Sequence, residues 1–101
     1  MSFTRIDIEQ AKALIEERQA KVVDVRDRAS FESGHIADAI HLDNETVSAF
    51  VSETDHSVPI IVCCYHGNMS QGAAGFFAEQ GFKESYSLDG GYALWQQEVG
   101  S

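Results

Sequence analysis

A chain of 101 residues, 44% hydrophobic and 23% charged, has the size and composition of one ordinary globular domain able to build its own core. Sixteen acidic residues against seven basic ones give a formal charge of −9, which argues against nucleic acid and anionic membrane as partners and sets any anionic substrate against the overall field. No apolar run approaches the roughly 18 residues of a membrane span, and Met1 to Gln10 alternates polar and apolar residues, unlike a signal or transit peptide, so the expected location is the cytoplasm.

The chain carries no internal repeat, low-complexity tract or linker, and residues 1–101 are expected to form a single domain. Phe3 to Ile6 reads as a short edge strand. Asp7 then caps a helix whose inner face is Ile8, Ala11, Leu14 and Ile15. Val22 to Val25 is a β-branched run ending in the charges of Arg26, Asp27 and Arg28. Ser30 is expected to cap a single helical turn through Glu32, stopped by Gly34. Ala39 to Leu42 reads as another strand, and Asn44 as the cap of a helix with Val47, Phe50 and Val51 on one face.

Ile60-Ile61-Val62-Cys63-Cys64 is a continuous apolar run, the pattern of a strand covered on both faces of a parallel sheet. A helix follows from about Ser70 to Gln80, with Ala73, Ala74 and Phe77 inward and Gly81-Phe82 as a left-handed stop. Ser85 to Leu88 is a last strand, and Gly90-Gly91 opens a final helix with Leu94 and Trp95. Strands alternate with helices throughout, so the class is α/β: a mostly parallel sheet of about five strands with helices on both sides. Ligands of such folds bind at the carboxyl ends of the strands, here Arg26 to Arg28, Leu42 to Asn44, Tyr65 to Met69 and Asp89 to Gly91.

Cys63 and Cys64 are the two cysteines of the chain. Neighbours on a strand point to opposite faces, so a disulfide between them would be badly strained, which agrees with a reducing compartment. Cys63 is expected in the core. Cys64 ends the central strand and opens the most informative stretch, Cys64-Tyr65-His66-Gly67-Asn68-Met69-Ser70. A loop this short must curl tightly. Gly67 is free to take positive φ and Asn68 tolerates it. The curl turns successive N–H groups inward at a helix N-terminus, forming an anion cradle. A thiol on its floor titrates below its free value near ~8.5 and becomes an exposed, nucleophilic thiolate. The bland alternative is a small buried hydrophobe ending a strand.

The surrounding residues extend the pattern: Asp24 to Asp27, Phe31 with Gly34-His35-Ile36, Ala39, His41-Leu42, Asn44, Thr46, Ala49 and Phe50. Beyond the loop come Ser70, Gly72-Ala73-Ala74, and Asp89-Gly90-Gly91 with Trp95. With these residues the chain resembles a short, single-domain rhodanese along nearly its whole length. The resemblance implies the rhodanese-like α/β fold and a thiosulfate sulfurtransferase working by double displacement. Cys64 would take the outer sulfur of thiosulfate, a small anionic donor, as sulfite leaves. The persulfide would then pass its sulfur to cyanide, another thiol or thioredoxin.

Tyr65, His66, Gly67, Asn68, Met69 and Ser70 would be the substrate-binding residues, their backbone donors stabilising thiolate and persulfide without side-chain charge. Such dipoles act at contact distance, whereas the net charge is screened beyond about 8 Å, which answers the problem of the acidic chain. One position departs from the family pattern. Many rhodaneses end this loop with Arg, and Met69 stands there instead, so a cationic anchor for thiosulfate is missing.

No cofactor is expected. Cys63, Cys64 and His66 do not form a metal set, because adjacent strand residues diverge and no Cys-x-x-Cys or His-x-x-x-His pair is present. For His66 two readings stand, substrate orientation or proton donation on one side and a solvated loop side chain on the other. Arg26 and Asp27 are expected to form an ion pair fixing the loop, with direct contact to the active loop as the alternative; His35, His41 and Trp95 are expected to be structural. Two rival functions are a catalytically weak rhodanese-like sulfur carrier or binding module, the inactive binding modules usually lacking the cysteine, and a cysteine phosphatase. The phosphatase requires an Arg six residues after the cysteine, where this chain has Ser70.

Overall fold

Strand and helix alternate from one end to the other: β1 (Thr4–Ile6), α1 (Ile8–Arg18), β2 (Lys21–Asp24), α2 (Arg28–Ser33), β3 (Ile40–His41), α3 (Val47–Glu53), β4 (Ile60–Cys63), α4 (Met69–Glu79), β5 (Ser85–Leu88) and α5 (Gly91–Val99). This computed structural model describes residues 2–100; Met1 and Ser101, the two ends of the expected domain, lie outside the described residues. The strands form one five-stranded sheet in the order β1-β5-β4-β2-β3, and every neighbouring pair is parallel.

The continuous apolar run of β4 is explained by its central place. Ile61 and Cys63 point into a layer with Ile8 and Ala11 of α1 and Tyr92 and Trp95 of α5. Ile60 and Val62 point the other way, against Ala74 and Phe77 of α4 and the partly buried Phe50 and Val51 of α3. All four β4 side chains are fully buried. Each of the larger ones contributes about 1.5–3 kcal/mol of hydrophobic stabilisation, and Ile61→Ala would cost about 2–5 kcal/mol.

The helix ends are set locally. Asp7 caps α1, as the sequence predicts, and Gln10 completes a reciprocal capping box with it. At the end of α4, Gly81 at φ +104 sends its N–H to Ala78, and the Phe82 N–H reaches Phe77, a Schellman stop with the Phe77–Phe82 ring contact beside it. Two expected caps differ. Asp27, not Ser30, caps α2, because its carboxylate takes both the Ser30 amide and hydroxyl. Asn44 does not cap α3, since Asp43 gathers the amides of Glu45 and Thr46 and closes a turn ahead of it. Phe3 lies outside β1 and packs against the α3/α4 layer instead.

After β2 the chain runs through α2 to Ile36, in the α1/α5 layer, whereas after β4 it passes to α4 on the other face. Chain exits to opposite sides of adjacent strands open a crevice at their carboxyl ends. That crevice holds the cysteine loop.

Candidate active site

Cys64 is the first residue past β4, and α4 begins at Met69, so the turn is made within a handful of residues. Gly67 makes it at φ +92, while Asn68 has an ordinary helical backbone at φ −90. The turn brings the amides of Gly67 and Ser70 to Cys64 Sγ, each at 3.2 Å. A Cβ on Gly67 would stand 3.0 Å from the Gly90 nitrogen and 3.1 Å from the Leu88 carbonyl oxygen, so backbone packs directly on backbone there. The loop's outward carbonyls are also fixed. Tyr92 N–H donates to Cys64 at 2.7 Å, Ala93 N–H to Tyr65 at 3.0 Å, and Gln71 Nε2 to Gly67 at 2.9 Å. The first orphan donors of α5 are thereby satisfied by the loop that carries the cysteine.

The two cysteines occupy opposite electrostatic settings. Burial pushes the Cys63 thiol up to about 12, with nearby Asp24 adding to the effect. Burial opposes ionisation of Cys64 as well, but the hydroxyl and amide of Ser70 and the amides of Gly67 and His66 outweigh it and hold that thiol below its ordinary value. The loop contains neither Lys nor Arg, so fixed N–H and O–H dipoles at the start of α4 do this work. Cys64 is only 3% exposed, more enclosed than the sequence suggests, because the curl and the start of α5 close around it. A reactant must enter the cradle to reach the sulfur.

Arg26 is nearly buried and pairs with Asp24, not with the expected Asp27, through contacts of 2.8 to 3.1 Å. It also donates to the Gly34 carbonyl at 2.7 Å and lies over the rings of Tyr92 at 4.4 Å and Tyr65 at 5.4 Å. The guanidinium thus buttresses Tyr65 of the loop and the first turn of α5 together. His35 stacks on Phe31, and His41 Nε2–H donates to the Arg26 carbonyl, both structural positions. Trp95 is buried in the α1/α5 layer.

Tyr65, His66, Asn68 and Met69 surround the cradle at the surface, Tyr65 being 51% and Met69 71% exposed. The ring of His66 lies beside that of Tyr65. Met69 also edges a cavity of about 330 Å³ walled by Val25, Leu42, Val47, Phe76 and Phe77. Sequence reasoning finds the loop because its residues are contiguous. It misses the Asp24–Arg26 brace and the Gln71 contact, for which the only sequence signals are a carboxylate ending a strand and an amide one turn into a helix.

The sequence model of the rhodanese-like domain matches residues 7–98. A thiosulfate sulfurtransferase GlpE of Pseudomonas syringae is 52% identical over 94 residues, covering 93% of this chain and 88% of that protein. The protein of the same name from Pseudomonas aeruginosa PAO1 is 50% identical over 95 residues, covering 94% and 86%. Among solved structures, the rhodanese-like domain of an Anabaena protein superposes with a TM-score of 0.81 at 28% identity, covering 96% of this chain and 75% of that one. A rhodanese-related protein of Thermoplasma volcanium gives 0.74 at 27% identity, with 95% and 93% covered.

Proposed function

The chain belongs to the rhodanese family and is a sulfurtransferase, and from that premise we propose that Cys64 is the sulfur carrier, with thiosulfate as a donor. The Cys64 thiolate attacks the outer sulfur of thiosulfate; the S–S bond breaks and sulfite leaves with its electron pair. The persulfide is then attacked at its terminal sulfur by cyanide or by a thiolate such as that of thioredoxin. Thiocyanate or the acceptor's persulfide forms, and Cys64 departs as thiolate. No net oxidant is needed. Tyr65, His66, Gly67, Asn68, Met69 and Ser70 form the substrate-binding wall around that sulfur.

The observation that carries this reading is the pair of 3.2 Å contacts from the Gly67 and Ser70 amides to Cys64 Sγ. They favour the anionic sulfur of the free enzyme and again when it leaves. The relatives' names support thiosulfate as donor. Both cysteines are free, which suits a reducing location such as the cytoplasm. Two apolar layers sharing one sheet support a single domain.

Intact mass after incubation with thiosulfate tests the assignment. The wild-type protein and Cys63→Ala should each gain one sulfur atom, and Cys64→Ser should gain none while keeping its fold. Loading that survives in Cys64→Ser, or fails equally in folded Cys63→Ala, would remove Cys64 from the role.

A further inference from the structure

Two serines of β5, Ser85 and Ser87, face α4, and both are buried. Ser85 Oγ–H donates to the Ala74 carbonyl at 2.7 Å and fastens helix to sheet. Ser87 is fully buried and its hydroxyl meets one side chain, that of Ser70, with 2.7 Å between the oxygens. Ser70 is itself fully buried in the first turn of α4, and its amide is one of the two donors to Cys64 Sγ. Ser87 therefore touches the residue that touches the sulfur.

Which hydroxyl donates follows from counting protons. Each serine has one O–H proton to place, and a buried one without an acceptor costs about 1–3 kcal/mol. If Ser70 donated to Ser87, the Ser87 proton would have no acceptor among the described residues, and the Ser70 oxygen would turn lone pairs toward an anionic sulfur. In the opposite order Ser87 donates to Ser70, Ser70 donates to Cys64, and both protons end on acceptors. The contribution of the Ser70 hydroxyl to the acidity of Cys64 agrees with the second order. Chains of this kind polarise one another in a dry interior.

We propose that Ser87 is a positioning residue of sulfur transfer, which by donating to Ser70 Oγ turns the Ser70 hydroxyl proton onto the sulfur of Cys64. The role rests on Cys64 being the carrier. It stabilises the thiolate both before attack on the donor and as the leaving group when the persulfide is discharged, where a more acidic thiol leaves faster.

The test is the pH profile of Cys64 alkylation by iodoacetamide in the Cys63→Ala background, for Ser87→Ala, Ser70→Ala and the double variant. Ser87→Ala should raise the midpoint by about half a pH unit, a roughly three-fold loss of thiolate below it. It should also slow discharge of a preloaded persulfide to cyanide, with the KM for cyanide little changed. In the Ser70→Ala background the same substitution should do nothing further, since its effect passes through Ser70. An unchanged midpoint in folded Ser87→Ala, or an undiminished shift in the double variant, overturns the proposal.

Should Ser87→Ala not fold, the wild-type protein answers by NMR. The Ser87 Cβ resonance should titrate with the midpoint of Cys64 and lose that titration in Cys64→Ser. Absence of the titration is equally fatal. Sulfur loading that persists in Cys64→Ser overturns the carrier reading, and the transfer role with it. Loading that requires Cys64 with a midpoint indifferent to Ser87 overturns the positioning role alone.

Discussion

Gly91 is pressed against Cys64 backbone to backbone: a Cβ built on Gly91 would lie 2.4 Å from the carbonyl oxygen of Cys64 and as close to that of Tyr65. The residue also sits at φ +59, where a side chain costs about 1–2 kcal/mol before any clash is counted. Neither neighbouring atom belongs to a flexible side chain, so relief requires α5 or the loop to move. Gly91→Ala is expected to cost about 2 kcal/mol or more and to reduce sulfur loading, measured by urea midpoint and intact mass. Wild-type values of both would show that α5 does not clamp the loop.

The neighbouring cysteines should leave pH signatures of opposite sign. Cys64 has a lowered midpoint in the folded chain, so its contribution to stability is present above the unfolded value of about 9 and is lost as pH falls through the folded one. Cys63 is raised to about 12, so its contribution is full below about 9 and is lost as pH rises toward 12. Removing Cys64 with Ser should therefore flatten the stability curve below pH 9, and Cys63→Ala should flatten it above. Chemical denaturation at a series of pH values reads both slopes. A slope below pH 9 that is the same in wild type and Cys64→Ser contradicts the lowered midpoint.

Asp24 and Arg26 are both buried, and their charges compensate each other. Asp24→Asn leaves the guanidinium short of its anion, and a loss of about 3–5 kcal/mol is expected. The joint change Asp24→Asn with Arg26→Met removes the stranded charge and should be milder than the single one. Urea midpoints of the two proteins decide it; a double variant no more stable than Asp24→Asn would mean that Arg26 matters chiefly through the rings of Tyr65 and Tyr92.

Met69 stands at the rim of the site, largely exposed, where an arginine would bring a cation toward the oxygens of thiosulfate. Such a contact is similar in ground and transition states, so Met69→Arg should lower KM and leave kcat nearly unchanged. A partly exposed pair of this kind is worth on the order of 1 kcal/mol, or about five-fold in KM. Added salt should shrink the gain. Thiosulfate kinetics at low and high ionic strength check both points, and a KM that stays put or rises places residue 69 away from the donor.

The order of elements was legible in the chain because each carries its own local pattern. Asp7 marks a helix start, Gly81-Phe82 a helix stop, and Ile60 to Cys63 a strand buried on both sides. The candidate site was legible to the same extent, since Cys64 to Ser70 is one continuous loop. Its supports were not. Asp24 looks like any residue closing a strand, and only folding shows Arg26 turning back onto it rather than onto Asp27. Ser87 lies in a strand without an informative pattern, and Gly91 reads as a helix opener until the sheet sets β5 beside β4. The two misplaced caps have a similar cause: Asp27 and Asp43 outcompete Ser30 and Asn44 through carboxylates that take two or more donors at once.

The clamp on the Cys64 loop is built from Leu88, Gly90, Gly91, Tyr92 and Ala93, all later in sequence than the loop they hold. During synthesis these residues emerge after the cysteine itself, so the loop cannot be clamped until β5 and the start of α5 have been made. The curl that aims the Gly67 and Ser70 amides at Cys64 Sγ is held from outside once α5 docks against it. Completion of the amide cradle therefore waits on the docking of a helix that is distant from the cysteine in sequence.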